Sequence, residues 1–175
     1  YQVIKKDYEK ILSHKNSLLK EECPPLVFDS INETLLTVGT QLYSYRNALF
    51  QRLLPLIKEN YETISENQEI LTATYIPSWE ARSNEIYCAF SYTKEEAMNL
   101  LFQALQNNRK EEVKRKRSLI GPHADKIEFF INGKNASIYG SQGQQRSLVL
   151  SIKLAEVALI REITNQQPIL LLDDV

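Results

Sequence analysis

Apolar positions in the first 20 residues recur at the spacing of one helix face. Ile4, Tyr8, Ile11 and Leu18 lie on this face, and Lys15 completes its alternating steps of four and three residues. Lys15 therefore interrupts an otherwise apolar stripe. The sequence Glu-Glu-Cys-Pro-Pro at residues 21–25 predicts the end of this helix, because proline cannot continue the backbone hydrogen-bond ladder.

A second helix is predicted after the two prolines. Two apolar helices joined by a short proline-rich turn favour an antiparallel helical hairpin, although two helices of an ordinary bundle would show the same pattern. The pattern covers only about three heptads, so a short paired arm is expected. Pro55 is expected to kink this helix rather than end it. The heptad positions are Leu35, Val38, Leu42, Tyr45, Leu49 and Leu56, with Arg52 at the odd position.

The central part of the chain predicts one strand and one further helix. Residues 69–76 alternate as a strand does, and the loop at 77–85 contains the only tryptophan, Trp79, which we interpret as a packing residue. Residues 85–92 fit a strand or a helix equally well. Thr93 and Glu96 have the spacing of a capping box, which predicts the start of a helix. Its core-facing residues would be Ala97, Leu100, Leu101, Ala104 and Leu105.

Residues after 118 shift toward β structure. Residues 126–131 and 136–139 flank Asn132-Gly133, a strong hairpin signal, and we expect them to pair as two strands that present the next loop rigidly. That loop leads into a strongly periodic apolar helix. Residues 168–172 are apolar without alternation, which is typical of a strand buried on both faces of a parallel sheet. The chain therefore belongs to the α/β class, with a helical hairpin added.

Composition and charge exclude some classes of protein. The 175 residues include 21 Lys and Arg against 22 Asp and Glu, so there is no global basic field for nucleic acid. Cys23 and Cys88 are far apart and lack metal-ligand spacing, which indicates a reducing, cytoplasmic compartment. No apolar stretch approaches the length of a membrane span. The chain begins inside a helical pattern and stops at the end of a strand, so we expect it to be a piece of a longer polypeptide.

One local stretch is strongly basic and follows the helix predicted after Thr93. Its cations could contact DNA phosphates, each adding to a salt-dependent affinity. A solvated helix end also favours cations, two glutamates dilute the patch and no aromatic residue is interleaved, so both interpretations stay open. The basic residues are Arg109, Lys110, Lys114, Arg115, Lys116 and Arg117.

The loop before the last helix is a candidate phosphate site. Glycine lets the backbone approach a ligand closely, and the first turn of a helix presents unpaired N–H groups and the positive end of its dipole. Such a turn suits phosphate, although a serine and a glycine before a helix often serve only as a cap. The candidate residues are Ser141, Gly143, Gln144 and Gln145.

Paired carboxylates follow the last predicted strand. Asp173 and Asp174 would lie at its carboxyl end, where open α/β sheets bind ligands. One carboxylate on Mg²⁺ and a neighbour that orients water form the Walker B arrangement of nucleotide hydrolases. The order of loop, helix and acidic strand is that of an ABC-type ATPase. A metal-dependent nuclease is less favoured, because the further carboxylates of a two-metal site are missing.

Five short motifs follow one another along the chain. They are Gly121-Pro122-His123, Ile131-Asn132-Gly133-Lys134, Ser141-Gln142-Gly143-Gln144-Gln145-Arg146, Lys153-Leu154-Ala155-Glu156 and Leu170-Leu171-Leu172-Asp173-Asp174-Val175. In this order they resemble the bacterial RecF family, whose members are SMC-like ABC ATPases of DNA replication and recombinational repair. The resemblance is most specific over residues 118–175 and extends to the first helix, residues 8–19 with Asn16.

The resemblance implies a helical lobe over residues 1–117 and part of an ATPase head over residues 118–175. Ser141, Gly143 and Gln144 match the ABC signature, which in that family contacts the γ-phosphate of ATP held by the opposite subunit. Asp173 matches the Mg²⁺ carboxylate, and Asp174 replaces the usual catalytic glutamate, which fits a slow ATPase. The family further implies an ATP-dependent homodimer on gapped DNA or single-strand/double-strand junctions, partnership with RecR and RecO in loading RecA, and a part in the SOS response.

Two departures from the family pattern limit what can be transferred. The family's Gly-Pro-His-Arg-Asp-Asp is Gly-Pro-His-Ala-Asp-Lys at residues 121–126, so its charge network does not carry over, and His123 is either structural or a contact to nucleotide or DNA. No Gly-x-x-x-x-Gly-Lys-Ser/Thr occurs, so we expect the P-loop to precede this chain, which alone should not hydrolyse ATP. The open alternatives are another short-armed SMC-like protein and a non-enzymatic arm that binds DNA or a partner.

Overall fold

The computed structural model describes residues 1–21, 24–80 and 92–171 of the chain. The segment at 85–91, for which strand and helix fit equally well, lies outside the described residues. A three-stranded sheet has the order β1-β2-β3. In the part of the chain that the structure describes, no helix is both long and apolar enough to cross a membrane. The elements are α1 (Gln2–Leu18), α2 (Pro25–Ile64), β1 (Leu71–Ile76), α3 (Lys94–Arg115), a 3₁₀ helix (Pro122–Ala124), β2 (Lys126–Ile131), β3 (Lys134–Asn135), α4 (Ala136–Tyr139) and α5 (Gln142–Thr164).

The chain divides into two compact units. The first contains Tyr1–Asn47 and Tyr75–Lys126, and the second contains Ala48–Thr74 and Ile127–Val175. The predicted division after residue 117 falls within the first unit, because residues 118–126 belong to it. The assignment of a helical lobe and an ATPase head to the two predicted ranges stays a prediction.

In the first unit, α1 packs against the start of α2 as an antiparallel hairpin. Leu18, near the end of α1, lines an apolar groove together with Val27 and Ile31. Tyr8, earlier in α1, lies beside Gly39, farther along α2, so that a Cβ at Gly39 would be 3.4 Å from the tyrosine ring. Contacts that move back along α1 as they move forward along α2 are those of the predicted hairpin.

The buried face of α2 does not keep the heptad pattern. Tyr45 and Leu49 were assigned to that pattern wrongly, since they are 46% and 44% exposed. A straight α-helix rotates by about 20° relative to a strict seven-residue repeat in each heptad, so a long helix on a globular core buries positions at a period of 3.6 residues. The helix continues through Pro55, as expected. Among the side chains of this helix that the structure describes, the buried hydrophobic ones are Phe28, Ile31, Leu35, Leu36, Leu42, Tyr43, Phe50, Ile57 and Tyr61.

Lys15 does not interrupt the packing of α1 but forms a buried ion pair. Its Nζ lies 2.7 Å from Oε2 of Glu112, and the two side chains are 1% and 3% exposed. The other carboxylate oxygen of Glu112 accepts hydrogen bonds from Ser118 Oγ at 3.0 Å and from the Leu119 amide at 2.8 Å. Burial lowers the pKa of Lys15, and the attraction of Glu112 opposes this shift. The cation in the apolar stripe is therefore explained by a partner near the end of α3.

Two local predictions in the first unit are confirmed. Thr93 and Glu96 form the capping box at the start of α3, with hydrogen bonds between the side chain of each and the backbone of the other. Trp79 packs edge-on against the buried ring of Tyr43, with 4.8 Å between the ring centroids, so it is a packing residue. The core of this unit consists of Tyr8, Leu35, Leu36, Leu42, Leu101, Ala104, Leu105 and Ile120.

In the second unit, the predicted hairpin turn forms but its second strand is short. Asn132 and Gly133 both have positive φ, 50° and 76°, as a two-residue turn of this kind requires. The prediction of a strand at residues 136–139 is wrong, because this segment is the helical turn α4. The side chain of Asn135 accepts a hydrogen bond from the Ser137 amide at 3.0 Å, which caps a helix in place of further strand pairing.

The described part of the last predicted strand, residues 168–171, forms no strand. Ile169 and Leu171 are each 89% exposed. An apolar run becomes a strand only beside a hydrogen-bonded neighbour, and the described sheet contains β1, β2 and β3 alone. The core of this unit consists of Ile57, Tyr61, Leu71, Ile131, Ala136, Leu148 and Ala155.

Candidate functional site

The candidate phosphate-binding turn is the start of α5, where Ser141 is the N-cap. Its backbone is extended, with φ −63° and ψ 161°, and its Oγ accepts a hydrogen bond from the Gln144 amide at 3.2 Å. Oε1 of Gln144 in turn accepts from the Ser141 amide at 2.8 Å. This reciprocal pair is a capping box, so the loop leads directly into the helix as predicted.

The first turn of α5 is open to a ligand. Ser141, Gln142 and Gly143 are exposed. The amides of Gln144 and Gln145 are used within the turn, since the latter donates to the Ser141 carbonyl at 3.0 Å. The amides at the first two helical positions, Gln142 and Gly143, have no partner within the helix and point outward at the positive end of its dipole. An exposed anion such as a phosphate oxygen fits this arrangement.

The two glycines of this segment are needed for different reasons. A Cβ at Gly140 would lie 2.4 Å from the Ala136 carbonyl oxygen, so the chain's own backbone requires glycine there. At Gly143 a Cβ would meet only Ser141 Oγ, at 3.9 Å, and its φ is not positive. Folding therefore does not require glycine at position 143. A group that approaches the backbone from outside would require it, and this fits a phosphate cradle.

Alanine should destabilise the protein at position 140 but not at position 143. We expect Gly140→Ala to lower the free energy of unfolding by about 1–3 kcal/mol, the usual range for overpacking. We expect Gly143→Ala to leave it unchanged or raise it by up to about 1 kcal/mol, because alanine is the better helix former. Urea titrations followed by circular dichroism measure both. A Gly143→Ala variant as unstable as Gly140→Ala would show that glycine 143 serves folding.

The remaining two candidate residues are held by side-chain contacts. Gln145 Nε2 donates to the carbonyls of Ala136 at 3.2 Å and Gly140 at 3.1 Å, so its amide fastens the α4–α5 connection. Gln144 Nε2 donates to Oε1 of Glu69 at 2.5 Å. Sequence inspection missed Glu69, because 75 positions separate it from Gln144 and no motif contains it.

The basic stretch is only partly free for a ligand. Arg109 pairs with Asp29 at 3.0 Å, and Arg115 pairs with Glu111 at 2.6 Å. Glu112, counted from sequence as diluting the patch, is buried beside Lys15 and adds no surface charge. The exposed cations are Lys110, Lys114, Arg115, Lys116 and Arg117, of which Arg115 is the one paired with Glu111.

The Gly-Pro-His turn is held by hydrogen bonds to its own unit. The Tyr8 hydroxyl lies 2.7 Å from Nδ1 of His123. Asp125 accepts from the Tyr75 hydroxyl at 2.6 Å and from the Ser78 amide at 2.7 Å. Burial raises the pKa of Asp125, and these hydrogen bonds act against that shift. The contacts favour the structural interpretation of His123.

Asp173 and Asp174 lie outside the described residues, so the structure does not place them against the turn at Ser141. Their roles in Mg²⁺ and water binding stay predictions from the resemblance.

No family model matches the chain. Among curated relatives, the DNA replication and repair protein RecF of Thermosynechococcus vestitus is 36% identical over 182 residues, covering 100% of this chain and 45% of the relative. RecF of Heliobacterium modesticaldum is 35% identical over 172 residues, covering 96% and 44%. RecF of Acaryochloris marina is 37% identical over 186 residues, covering 100% and 46%. The chain thus spans less than half the length of these relatives.

Solved structures give the same likeness. One is described as the recombination mediator protein RecF bound to ATP in the RecFOR pathway; it is 29% identical, has a TM-score of 0.87, and is matched over 99% of this chain and 45% of its own. A second, described as RecF-ATPrS, is 28% identical with a TM-score of 0.87, over 100% and 46%. This agreement confirms the predicted fold class.

Proposed function

The chain is RecF-like along its whole length, and we propose that it supplies the signature half of an ATP-dependent DNA-repair clamp. In this proposal the turn at Ser141 binds the γ-phosphate of an ATP molecule held by a second protomer. The ATP is then part of the interface, so that the homodimer forms with ATP and separates after hydrolysis. The intact protein would be a slow ATPase that uses ATP as a timer.

The observation that carries this proposal is the exposed, preorganised first turn of α5. The amides of Gln142 and Gly143 are free to donate to a phosphate oxygen. Ser141 Oγ already accepts from the Gln144 amide, so its hydroxyl proton remains available for a second phosphate oxygen. The open space above Gly143 lets that oxygen approach the backbone. Bound ATP would supply the phosphate, and this turn would hold and orient it.

The rest of the assignment follows the resemblance. We assign Asp173 to Mg²⁺ and Asp174 to the orientation of water, and we place the protein in the cytoplasm. Gapped DNA, or a junction of single- and double-stranded DNA, is the proposed nucleic-acid partner, with RecR and RecO as protein partners in loading RecA. The five exposed cations near the end of α3 are the proposed contacts to DNA phosphates, because they project from one short segment into solvent.

Sedimentation velocity of the full-length protein that carries this chain tests the proposal. We expect monomers without nucleotide and dimers with ATP, because only a γ-phosphate connects the turn of one protomer to the nucleotide of the other. ADP is the matched control, since it lacks that phosphate. Gapped duplex DNA should increase the ATP-dependent species more than blunt duplex of equal length.

Two results would contradict this. If sedimentation is the same with ATP, ADP and no nucleotide, the turn is only a helix cap. If sedimentation does not depend on nucleotide but the protein still binds DNA or a partner protein, the chain is a non-enzymatic binding arm.

A further inference from the structure

Glu69 connects helix α2 to the candidate phosphate-binding turn within the second unit. One of its oxygens accepts from Gln144 Nε2 at 2.5 Å, and the other accepts from the Tyr61 hydroxyl at 2.6 Å. Gln144 then reaches the Ser141 amide through its own oxygen. The result is a continuous hydrogen-bonded series from α2, through Glu69, to the N-cap of α5.

Two sets of contacts fix the position of Glu69, one made by the backbone of the next residue and one made by Tyr61 with the Glu69 carboxylate. The neighbouring residue Ile70 exchanges two hydrogen bonds with Asn132 in the hairpin turn, each 2.9 Å long. Tyr61 is completely buried in the core of this unit. Burial and the hydrogen bond to Glu69 raise the pKa of the Tyr61 hydroxyl, so it stays protonated and donates at neutral pH. The contact with Tyr61 thus keeps the Glu69 carboxylate beside Gln144 as a hydrogen-bond acceptor.

This fixed carboxylate decides which way the Gln144 amide points. A glutamine side chain has one accepting oxygen and one donating nitrogen. The nitrogen must face Glu69, since a carboxylate only accepts, and the oxygen is then directed at the Ser141 amide. If the Gln144 amide were turned over, its oxygen would face the Glu69 carboxylate and its nitrogen would face the Ser141 N–H, and both contacts would be repulsive. Glu69 thus favours the same orientation of the Gln144 amide that the capping box at Ser141 uses, although it belongs to neither the loop nor the helix.

We propose that Glu69 is a positioning residue for the signature turn: it holds Gln144 in the capping box and so keeps Ser141 and the free amides in the phosphate-binding arrangement. This rests on the function proposed above. If Glu69 is removed, the turn samples other arrangements, and only a fraction of the molecules keeps the arrangement that binds phosphate. The apparent affinity for the ligand then falls in proportion to that fraction.

The test compares three variants of the full-length protein with the wild type in ATP-dependent dimerisation. We expect Glu69→Ala to raise the dimer dissociation constant about tenfold, the effect of losing one hydrogen bond to a charged group. Glu69→Gln should stay within about threefold of wild type, because an amide can still accept from Gln144 and contact Tyr61. The matched control is Glu162→Gln, which removes the negative charge from the 2.9 Å contact of Arg52 with the opposite end of α5 and should change nothing.

A double-mutant cycle separates positioning from general destabilisation. If Glu69 acts through Gln144, then Glu69→Ala has no further effect on dimerisation in a Gln144→Ala background. Additive losses would mean that Glu69 acts by another route, and this would overturn the inference. Dimerisation of Glu69→Ala at the wild-type level would also overturn it while leaving the proposed function intact.

Amide hydrogen exchange gives a measurement that needs no nucleotide. The Ser141 amide is protected by Gln144 Oε1, so it should exchange faster in Glu69→Ala but not in Glu162→Gln. Unchanged exchange in Glu69→Ala would show that Glu69 does not position Gln144. Wild-type protein that fails to dimerise with ATP would instead refute the proposed function, and with it the role of Glu69 in phosphate binding.

Discussion

Ser141→Arg is expected to abolish ATP-dependent dimerisation while ATP binding by each protomer is preserved. Position 141 is the exposed N-cap of α5, directly before the two free amides of the first turn. Arginine removes the hydroxyl and places a long side chain where a phosphate oxygen would approach, so the γ-phosphate of the other protomer is excluded. The nucleotide of each protomer is held elsewhere in the proposed scheme, which is why its binding should survive. Light scattering with ATP and fluorescence titration with a labelled nucleotide measure the two properties separately.

A second helix of the same chain provides the control for lost capping. Thr93 is the N-cap of α3, is exposed, and forms the same type of capping box with Glu96. Thr93→Arg should therefore lower the free energy of unfolding by about 1 kcal/mol, as much as Ser141→Arg does, without affecting dimerisation. Normal ATP-dependent dimers of Ser141→Arg would refute the phosphate role of the turn. Loss of dimers in both variants would attribute the effect to helix capping.

Lys15→Met is expected to lower the free energy of unfolding by about 3–5 kcal/mol, the usual cost of removing one partner of a buried ion pair. Oε2 of Glu112 faces Lys15 at 2.7 Å, whereas the contacts from Ser118 and Leu119 both go to the other oxygen. Without the lysine, a carboxylate that is almost completely buried keeps an uncompensated charge. Urea titration followed by circular dichroism measures the loss.

The same helix contains the matched control. Lys5 pairs with Glu9 at 3.6 Å, and both side chains are about half exposed. Lys5→Met should cost less than about 0.5 kcal/mol, as expected of a solvated pair. Adding Glu112→Gln to Lys15→Met should recover part of the stability, because the buried charge is then removed. If the two lysine variants are equally stable, the pair of Lys15 and Glu112 contributes nothing beyond a surface contact.

Local signals in the sequence were sufficient for elements whose cause is local. The capping box at Thr93, the turn at Asn132-Gly133 and the start of a helix directly after Ser141 form as predicted, because each depends on residues within three positions of one another. The same is true of the continuation of α2 through Pro55. The candidate phosphate turn belongs to this group, since its amides and dipole are properties of one helix end.

Errors arose where a segment's environment decides its structure. Residues 136–139 have strand-forming composition, but the Asn135 cap and the buried Ala136 make them a helical turn. Tyr45 and Leu49 are apolar and periodic, yet the packing of α2 leaves them exposed. Residues 168–171 are as apolar as a buried strand and have no strand partner among the described elements. Apolar composition indicates what a segment is able to bury but not which surface it meets.

The sequence by itself determined the helix starts, the hairpin turn, the candidate phosphate-binding turn and the family likeness, since each is encoded in contiguous residues. Only the tertiary structure decided that Lys15 has a buried partner in Glu112 and that Glu69 holds Gln144. Both pairs join residues far apart in the chain, and their energies depend on distances and burial that exist only after folding. The sequence alone gives no reason for a lysine at position 15 or a glutamate at position 69, because their partners lie far away along the chain and come close only in the folded structure.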